Sequence, residues 1–237
     1  MITLDWRETM SIKITAVIIA LFTMMILCSV VNADTMSAKF FDKDRIKGSG
    51  TLISDYRDVN EFNKIRISGS ADLFITVGEK QSIKVTFDDN IIEYIQTDVK
   101  GKTLQIDCDV SYSSRKDCRI DITIPELKGI ILSGSGDVHI ENLRGDFFEY
   151  TLKGSGDMDA QGEIEELELN LYGSGDINTR ELKAQNAVAV IKGSGDIDLY
   201  ADNTLDCSVY GSGDIEYYGN PKDVTRHVAG SGSIKKR

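Results

Sequence analysis

From residue 129 onward, apolar and polar residues alternate with the two-residue period of a β-strand, and a Gly-Ser-Gly corner interrupts the alternation at regular intervals. Two positions before each corner stand Leu132, Leu152, Leu171, Ile191, Val209 and Val228. Four before it stand Ile130, Tyr150, Leu169, Ala189, Cys207 and Arg226, and six before it Phe148, Leu167, Ala187, Leu205 and Val224. After the corner the alternation resumes with Val138, Met158, Ile177, Ile197, Ile215 and Ile234 on one face. His139, Asp159, Asn178, Asp198 and Glu216 take the other. One rung is ambiguous: Val188 and Val190 are larger than Ala187 and Ala189, and only Ile191 and the corner fix its phase.

The corner itself is Gly-Ser-Gly-Asp beginning at Gly134, Gly154, Gly173, Gly193 and Gly211, with a degenerate Gly230-Ser231-Gly232-Ser233 at the end, in steps of 20, 19, 20, 18 and 19 residues. A coil of that length buries one alternating face only by stacking on its neighbours, which is the logic of a solenoid. The predicted fold is all-β: a right-handed parallel β-helix, or β-solenoid, with rungs of about 18–21 residues. The inward columns line up from rung to rung, and a corner between two strands favours glycine because a Cβ obstructs close backbone approach.

Earlier in the chain, Gly48-Ser49-Gly50-Thr51-Leu52 and Gly69-Ser70-Ala71-Asp72 match the corner 21 residues apart, with Ile65, Ile67, Leu73 and Ile75 in the expected columns. Between Gly69 and Gly134 no corner appears, although strand-like runs recur at 82–87, 103–108 and 119–124. Degenerate rungs or an antiparallel insertion both fit; the turns at Gly101-Lys102 and Ser113-Ser114 favour some antiparallel pairing in this N-terminal half. A short helix fits 88–97. Residues 48–237 read as one elongated domain, less regular over 48–125 and regular over 126–237, whose last coil carries Arg226 and Lys235-Lys236-Arg237 and caps the stack.

The N-terminus changes the picture of where the domain works. Lys13, an apolar run over 14–31 and Val31-Asn32-Ala33 have the make-up of a secretory signal, so 1–33 is read as a signal peptide, with an uncleaved anchor as the alternative, and 34–47 as a flexible lead. Export then bears on the cysteines. Cys108 and Cys118 flank a polar stretch between two strand-like runs, and in an oxidising compartment a disulfide pinning a hairpin is favoured over two free thiols. Cys207 sits in an inward column and reads as a small buried residue.

The formal charge of −11 argues against nucleic acid as a partner, and against anionic lipid. Membrane contact is expected only through an uncleaved N-terminal segment. With two histidines, His139 and His227, there is little material for a histidine-based catalytic or metal site. Tyr172 and Tyr210 alternate with Lys153 and Lys192 at the outward position before the corner, a stripe that could touch a glycan or simply be a solvated face. Asp137, Asp157, Asp176, Asp196 and Asp214 recur once per rung, about 4.8 Å apart. Their mutual repulsion needs compensation, and hydrogen bonds from backbone N–H groups or corner serines are favoured over the alternative, calcium bound between rungs. No cofactor is otherwise expected.

The run Ile122-Thr123-Ile124-Pro125-Glu126-Leu127, followed by Leu132-Ser133-Gly134-Ser135-Gly136-Asp137 and the repeated corners, resembles the head GIN domain family of auto-transporter adhesins, a bacterial family. The upstream run Phe62-Asn63-Lys64-Ile65-Arg66-Ile67-Ser68-Gly69-Ser70 resembles its opening motif, so the likeness covers residues 48–234. It implies an exported β-helical domain at the surface or in the periplasm, and supplies no catalytic residues. The expected function is a non-catalytic module that binds a cell-envelope glycan, a protein or a second copy of itself. The alternative is a polysaccharide-degrading β-helix enzyme, a lyase or hydrolase, but steps of 18–20 residues leave little chain for the long loops that would carry its active site.

Overall fold

Over residues 138–209 each strand runs through the return without a loop. The structure, a computed structural model, describes residues 45–237; the segment 1–33 and nearly all of 34–47 lie outside the described residues. Among the described residues no helix is long and apolar enough to cross a membrane.

The N-terminal half supplies β1 (Ile46–Lys47), β2 (Leu52–Tyr56), β3 (Lys64–Gly69), β4 (Asp72–Val77) and β5 (Ser82–Asp88). Then come a single 3₁₀ turn at Ile92–Tyr94, β6 (Ile95–Lys100), β7 (Thr103–Cys108), β8 (Tyr112–Ser113), β9 (Arg119–Ile124) and β10 (Gly129–Gly134). The regular half consists of β11 (Val138–Gly154), β12 (Met158–Gly173), β13 (Ile177–Ile191), β14 (Ile197–Val209), β15 (Ile215–Tyr218), β16 (Asp223–Val228) and β17 (Ile234–Lys236). These strands stack in parallel as a solenoid of about five turns.

The register follows the columns read from the sequence. Ile130 pairs with Tyr150, Tyr150 with Leu169, Leu169 with Ala189, Ala189 with Cys207 and Cys207 with Arg226. Between the first corner and Ile215, none of the inward residues of these columns is more than 3% exposed. Burying each large aliphatic or aromatic side chain is worth about 1.5–3 kcal/mol, so the columns dominate the fold's stability. The ambiguous rung resolves with Ala187 and Ala189 inward, while Val188 is 44% exposed. Ala189 and Cys207 stack in the column where Tyr150 and Leu169 stand earlier. Burial pushes the Cys207 thiol up to about 12. At the last coil Arg226 donates to the Tyr217 hydroxyl and lies over its ring, covering the end of the core with a guanidinium where earlier rungs have apolar side chains.

The corners pack backbone on backbone. A Cβ on Gly175 would lie 1.9 Å from the carbonyl oxygen of Gly156, and one on Gly156 would lie 2.0 Å from that of Gly136. Ser155, Ser174, Ser194 and Ser212 each donate a backbone N–H to the first glycine of the preceding corner at 2.9–3.0 Å.

The N-terminal half contains one further rung and an antiparallel end, and its order in space differs from its order in sequence. β7 runs parallel to β3 and β9 parallel to β4, so β7 and β9 form the rung outside β3 and β4 although they follow them in the chain. β6 then pairs antiparallel with β7, β5 with β9 and β2 with β5. The expected hairpin between 103–108 and 119–124 is therefore corrected: its two strands lie on different faces of one rung. Continuing the register puts Cys108 and Cys118 level with Gly69 and Ala71, with residues 109–117 filling the place of one corner serine. The disulfide expected between them is not formed in the structure. Both thiols are free; Cys108 donates to the Val110 carbonyl at 3.3 Å and Cys118 approaches Asp88 Oδ2 at 3.9 Å.

The first sequence match, Gly48-Ser49-Gly50, is also not a stacked corner. It is clamped by the loop after β5: Ser49 N–H donates to Asn90 Oδ1 at 2.9 Å, Ser49 Oγ to Asp89 Oδ1 at 2.5 Å, and Gly50 N–H to the buried Asp88 Oδ1 at 2.6 Å. A Cβ on Gly48 would fall 2.2 Å from Asp88 Oδ2, so glycine is required there for a different neighbour. Leu52, which stands after this match where the later corners are followed by an inward aliphatic residue, is 37% exposed on β2.

Gly175→Ala should unfold the domain or cost more than about 4 kcal/mol, because the clash is with backbone that cannot rotate away, while Ser174→Ala, which keeps its backbone bond, should stay within about 1 kcal/mol in thermal melting. A tolerated alanine at 175 would contradict the stacking. The Tyr150 hydroxyl is buried without a hydrogen-bond partner among the described residues, and burial, with Asp137 and Asp157 nearby, pushes its phenol up. A folded pKa above the unfolded value of 10.0 gives stability that is present below pH 10 and lost as pH rises further. Tyr150→Phe should equal or exceed the parent in stability at neutral pH and flatten the alkaline loss, measured by chemical denaturation across that range.

Candidate functional site

The strands flanking each corner position two outward rows, and their side chains define the surfaces open to a partner. On the post-corner side the aspartate column forms a ladder. Asp157 N–H donates to Asp137 Oδ1 at 2.9 Å, Asp176 N–H to Asp157 Oδ1 at 2.8 Å, Asp196 N–H to Asp176 Oδ1 at 2.9 Å and Asp214 N–H to Asp196 Oδ1 at 2.7 Å. The ladder has two members that the sequence column omitted. Asp72 accepts from Asp137 N–H at 2.9 Å, and Ser233 donates both its N–H and its hydroxyl to Asp214, at 2.7 and 2.9 Å. Asp72 was readable from its place after Gly69-Ser70-Ala71; Ser233 occupies the aspartate position of the last coil. Donors come from the backbone, and only the terminal serine adds a hydroxyl.

Two residues further along each strand, Asn178, Asp198 and Glu216 join Asp176, Asp196 and Asp214 around a groove of about 410 Å³. Its charge is partly balanced: Arg180 lies 3.7 Å from Asp198, and Arg237 forms an ion pair with Glu216. Burial nonetheless raises the Asp198 carboxyl, whereas the hydrogen bond from Arg237 lowers Glu216. The carboxylates of the ladder are strung one per rung along the axis. Among the described residues no group of three or more His, Cys, Asp or Glu is placed to hold a metal ion.

On the pre-corner side Lys153, Tyr172, Lys192 and Tyr210 stand in one exposed row. The Lys192 ammonium lies over both neighbouring rings, 5.4 Å from the centre of Tyr172 and 5.9 Å from that of Tyr210, and His227 tilts against Tyr210 at 5.4 Å. The stripe is thus a ladder of its own, in which the lysine already occupies ring surface. His139, the other histidine, stacks on Phe74 on the post-corner side.

These features define a closed-packed parallel β-solenoid that presents flat, side-chain-covered faces. The chain belongs to the family described as "Putative auto-transporter adhesin, head GIN domain", whose model matches residues 61–221. Among solved structures it is similar to a "putative adhesin" of Bacteroides fragilis, with 32% identity and a TM-score of 0.65 over 81% of this chain and all of that one. A "putative lipid binding protein" of Parabacteroides distasonis shares 27% identity over 82% of this chain and all of that one, at a TM-score of 0.50. A "putative adhesin" of Parabacteroides merdae, at 20% identity and a TM-score of 0.56 over 82% of this chain and 99% of that one, shares the fold. A comparison with curated proteins finds no match.

The ladder predicts how its members respond to change. A chelator at neutral pH should leave the melting temperature unchanged, since the N–H donors stand in for a cation; a large fall reversed by calcium alone would overturn this. Asp176→Asn keeps the Oδ1 acceptor and removes repulsion, so it should be neutral or stabilising, whereas Asp176→Ala leaves the Asp196 N–H without its acceptor and should cost about 1 kcal/mol.

Proposed function

We propose that this chain is an exported, non-catalytic adhesion module of the cell envelope or surface, which binds a glycan, a protein or a second copy of itself through the faces of its solenoid. Membership of the adhesin family supports the class. The observation that carries the non-catalytic part is the absence of projecting loops in the regular half: β11 to β14 are continuous strands of 17, 16, 15 and 13 residues that pass through the return without leaving the solenoid wall. An enzyme acting on a polysaccharide has to surround the scissile bond with positioned acid, base and stabilising groups. A wall of short side chains offers binding and little enclosure. Flat repeated faces suit a partner that is itself extended, because one weak contact per rung adds up along the axis.

The test couples binding with turnover. The purified exported protein should retain polysaccharide or protein from the envelope of its own cell on an immobilised surface, and should release no reducing ends or unsaturated products from acidic and neutral polysaccharides. Robust turnover would overturn the proposal in favour of the lyase or hydrolase.

A further inference from the structure

The corner side of the solenoid is invariant, and the opposite turn is not. There the register between neighbouring strands breaks at each of three successive junctions: after Ile140 in β11, after Asp159 in β12 and after Thr179 in β13. Where β11 uses Glu141 and Asn142 between paired residues, β12 uses Gln161 alone; β13 in turn inserts Arg180 and Glu181 before Leu182 pairs with Gly162. Asn142, at φ 57°, is the one non-glycine residue with positive φ among the described residues, and asparagine is among the side chains that tolerate it. The mismatched turns leave a cleft of about 220 Å³. Ile140 and Ala160 contribute to its lining.

Three rungs each contribute a pair to its walls: His139 with Glu141, Asp159 with Gln161, and Asn178 with Glu181. The inner members are organised by one another. Asn178 Nδ2 donates to Asp159 Oδ1 at 2.9 Å, Arg180 Nε donates to Asn178 Oδ1 at 3.2 Å, and His139 Nδ1 lies 3.7 Å from Asp159 Oδ2. The His139 ring is stacked on Phe74 with centres 4.9 Å apart, and the Arg119 guanidinium lies over the Phe74 ring at 5.1 Å, so the aromatic surface lining the cleft is that of His139. Glu141, Gln161 and Glu181, on the outer side, make no side-chain hydrogen bond or ion pair with another described residue. Their acceptors and the Gln161 amide are left facing solvent across a fixed spacing.

We infer that this cleft at the second turn is a binding site for a neutral saccharide. This rests on the adhesion reading above and names a ligand class for it. A sugar hydroxyl both donates and accepts, and the cleft offers carboxylate acceptors beside carboxamides that do both. The His139 ring, backed by Phe74, supplies the aromatic surface that the C–H face of a sugar ring needs, while Ile140 and Ala160, only 1% and 5% exposed, form the floor of the cleft. The volume lies below the roughly 300–1,000 Å³ of sites for drug-sized ligands, and three rungs span roughly 10 Å, so the cleft suits one or two sugar rings. Glu141, Asp159 and Glu181, in a protein of charge −11, select against uronates, sialic acids and sulfated sugars by like-charge repulsion. So small and open a site gives a dissociation constant on the order of 1 mM, and many copies on one surface would supply the avidity.

Amide NMR of the full chain, titrated with cellobiose, mannobiose, lactose and chitobiose and separately with digalacturonate and sialyllactose at matched ionic strength, tests the assignment. At least one neutral disaccharide should shift amides of residues 139–142, 159–162 and 178–182, and the acidic sugars should not. Gln161→Ala, or Glu181→Ala if the first variant melts early, should weaken that binding at least 10-fold without changing the melting temperature, while Lys192→Ala should leave it unchanged. Shifts centred on the Lys153 to Tyr210 row, a preference for acidic sugars, or no shift with any neutral disaccharide at tens of millimolar would each overturn it. If the cleft fails but the protein still coats its own cell envelope, the adhesion reading stands alone; if it does neither, both fall.

Discussion

From the rung of β3 and β4 to the last coil, each rung is tied to the next at the corner, where two columns, glycine at every position after Ala71, let backbone touch backbone. Across the stacked corners a Cβ on either glycine would lie only 1.8–2.2 Å from the carbonyl oxygen of the rung before it. No side chain yields to that, so the corner has one conformation and one register. The inward columns on both faces then align because each strand leaves the corner at the same point, and a slip of one residue would turn every apolar side chain outward. The corner thus does for the whole solenoid what a turn does for a single hairpin.

A fixed corner forces variation elsewhere. Successive steps of 20, 19, 20 and 18 residues cannot be absorbed at the glycines, and they are absorbed at the opposite turn, where the strand registers break. The same constraint sets the electrostatics. It brings one aspartate per rung to a spacing of about 4.8 Å, where each pair of charges repels by about 1 kcal/mol in water. A hydrogen bond from a backbone N–H to a charged acceptor contributes about 1.5–3 kcal/mol, which is enough to offset that repulsion. The ladder is therefore self-sufficient, each carboxylate held by the backbone N–H of the next rung.

The regular half was legible because the sequence repeats a local pattern whose neighbours in space are one period away. Even the rung with valines outward and alanines inward could be phased from Ile191 and the corner. The N-terminal half was not, for a physical reason: alternation says which side of a strand is buried and nothing about which strand lies beside it. Thus β7 and β9 were visible as strands, but their position outside β3 and β4 was not, and Cys108 and Cys118 were read as hairpin neighbours when they border a corner. Gly48-Ser49-Gly50 misled because its glycines answer to Asp88 and not to another corner. The cleft at the second turn was invisible for a related reason, since it arises from differences between rungs, while the eye follows what they share.

The central claim is that the corners, though they lie at the solvent edge, are as rigid as the interior. Native-state hydrogen exchange measures this directly at the amides of Ser155, Ser174, Ser194 and Ser212 and of Asp157, Asp176, Asp196 and Asp214. The account predicts that they exchange as slowly as the amides of Leu169 and Leu171 between them, through the same global opening. Fast exchange at the corners beside a protected interior would mean that the columns hold the rungs together without them, and would contradict it.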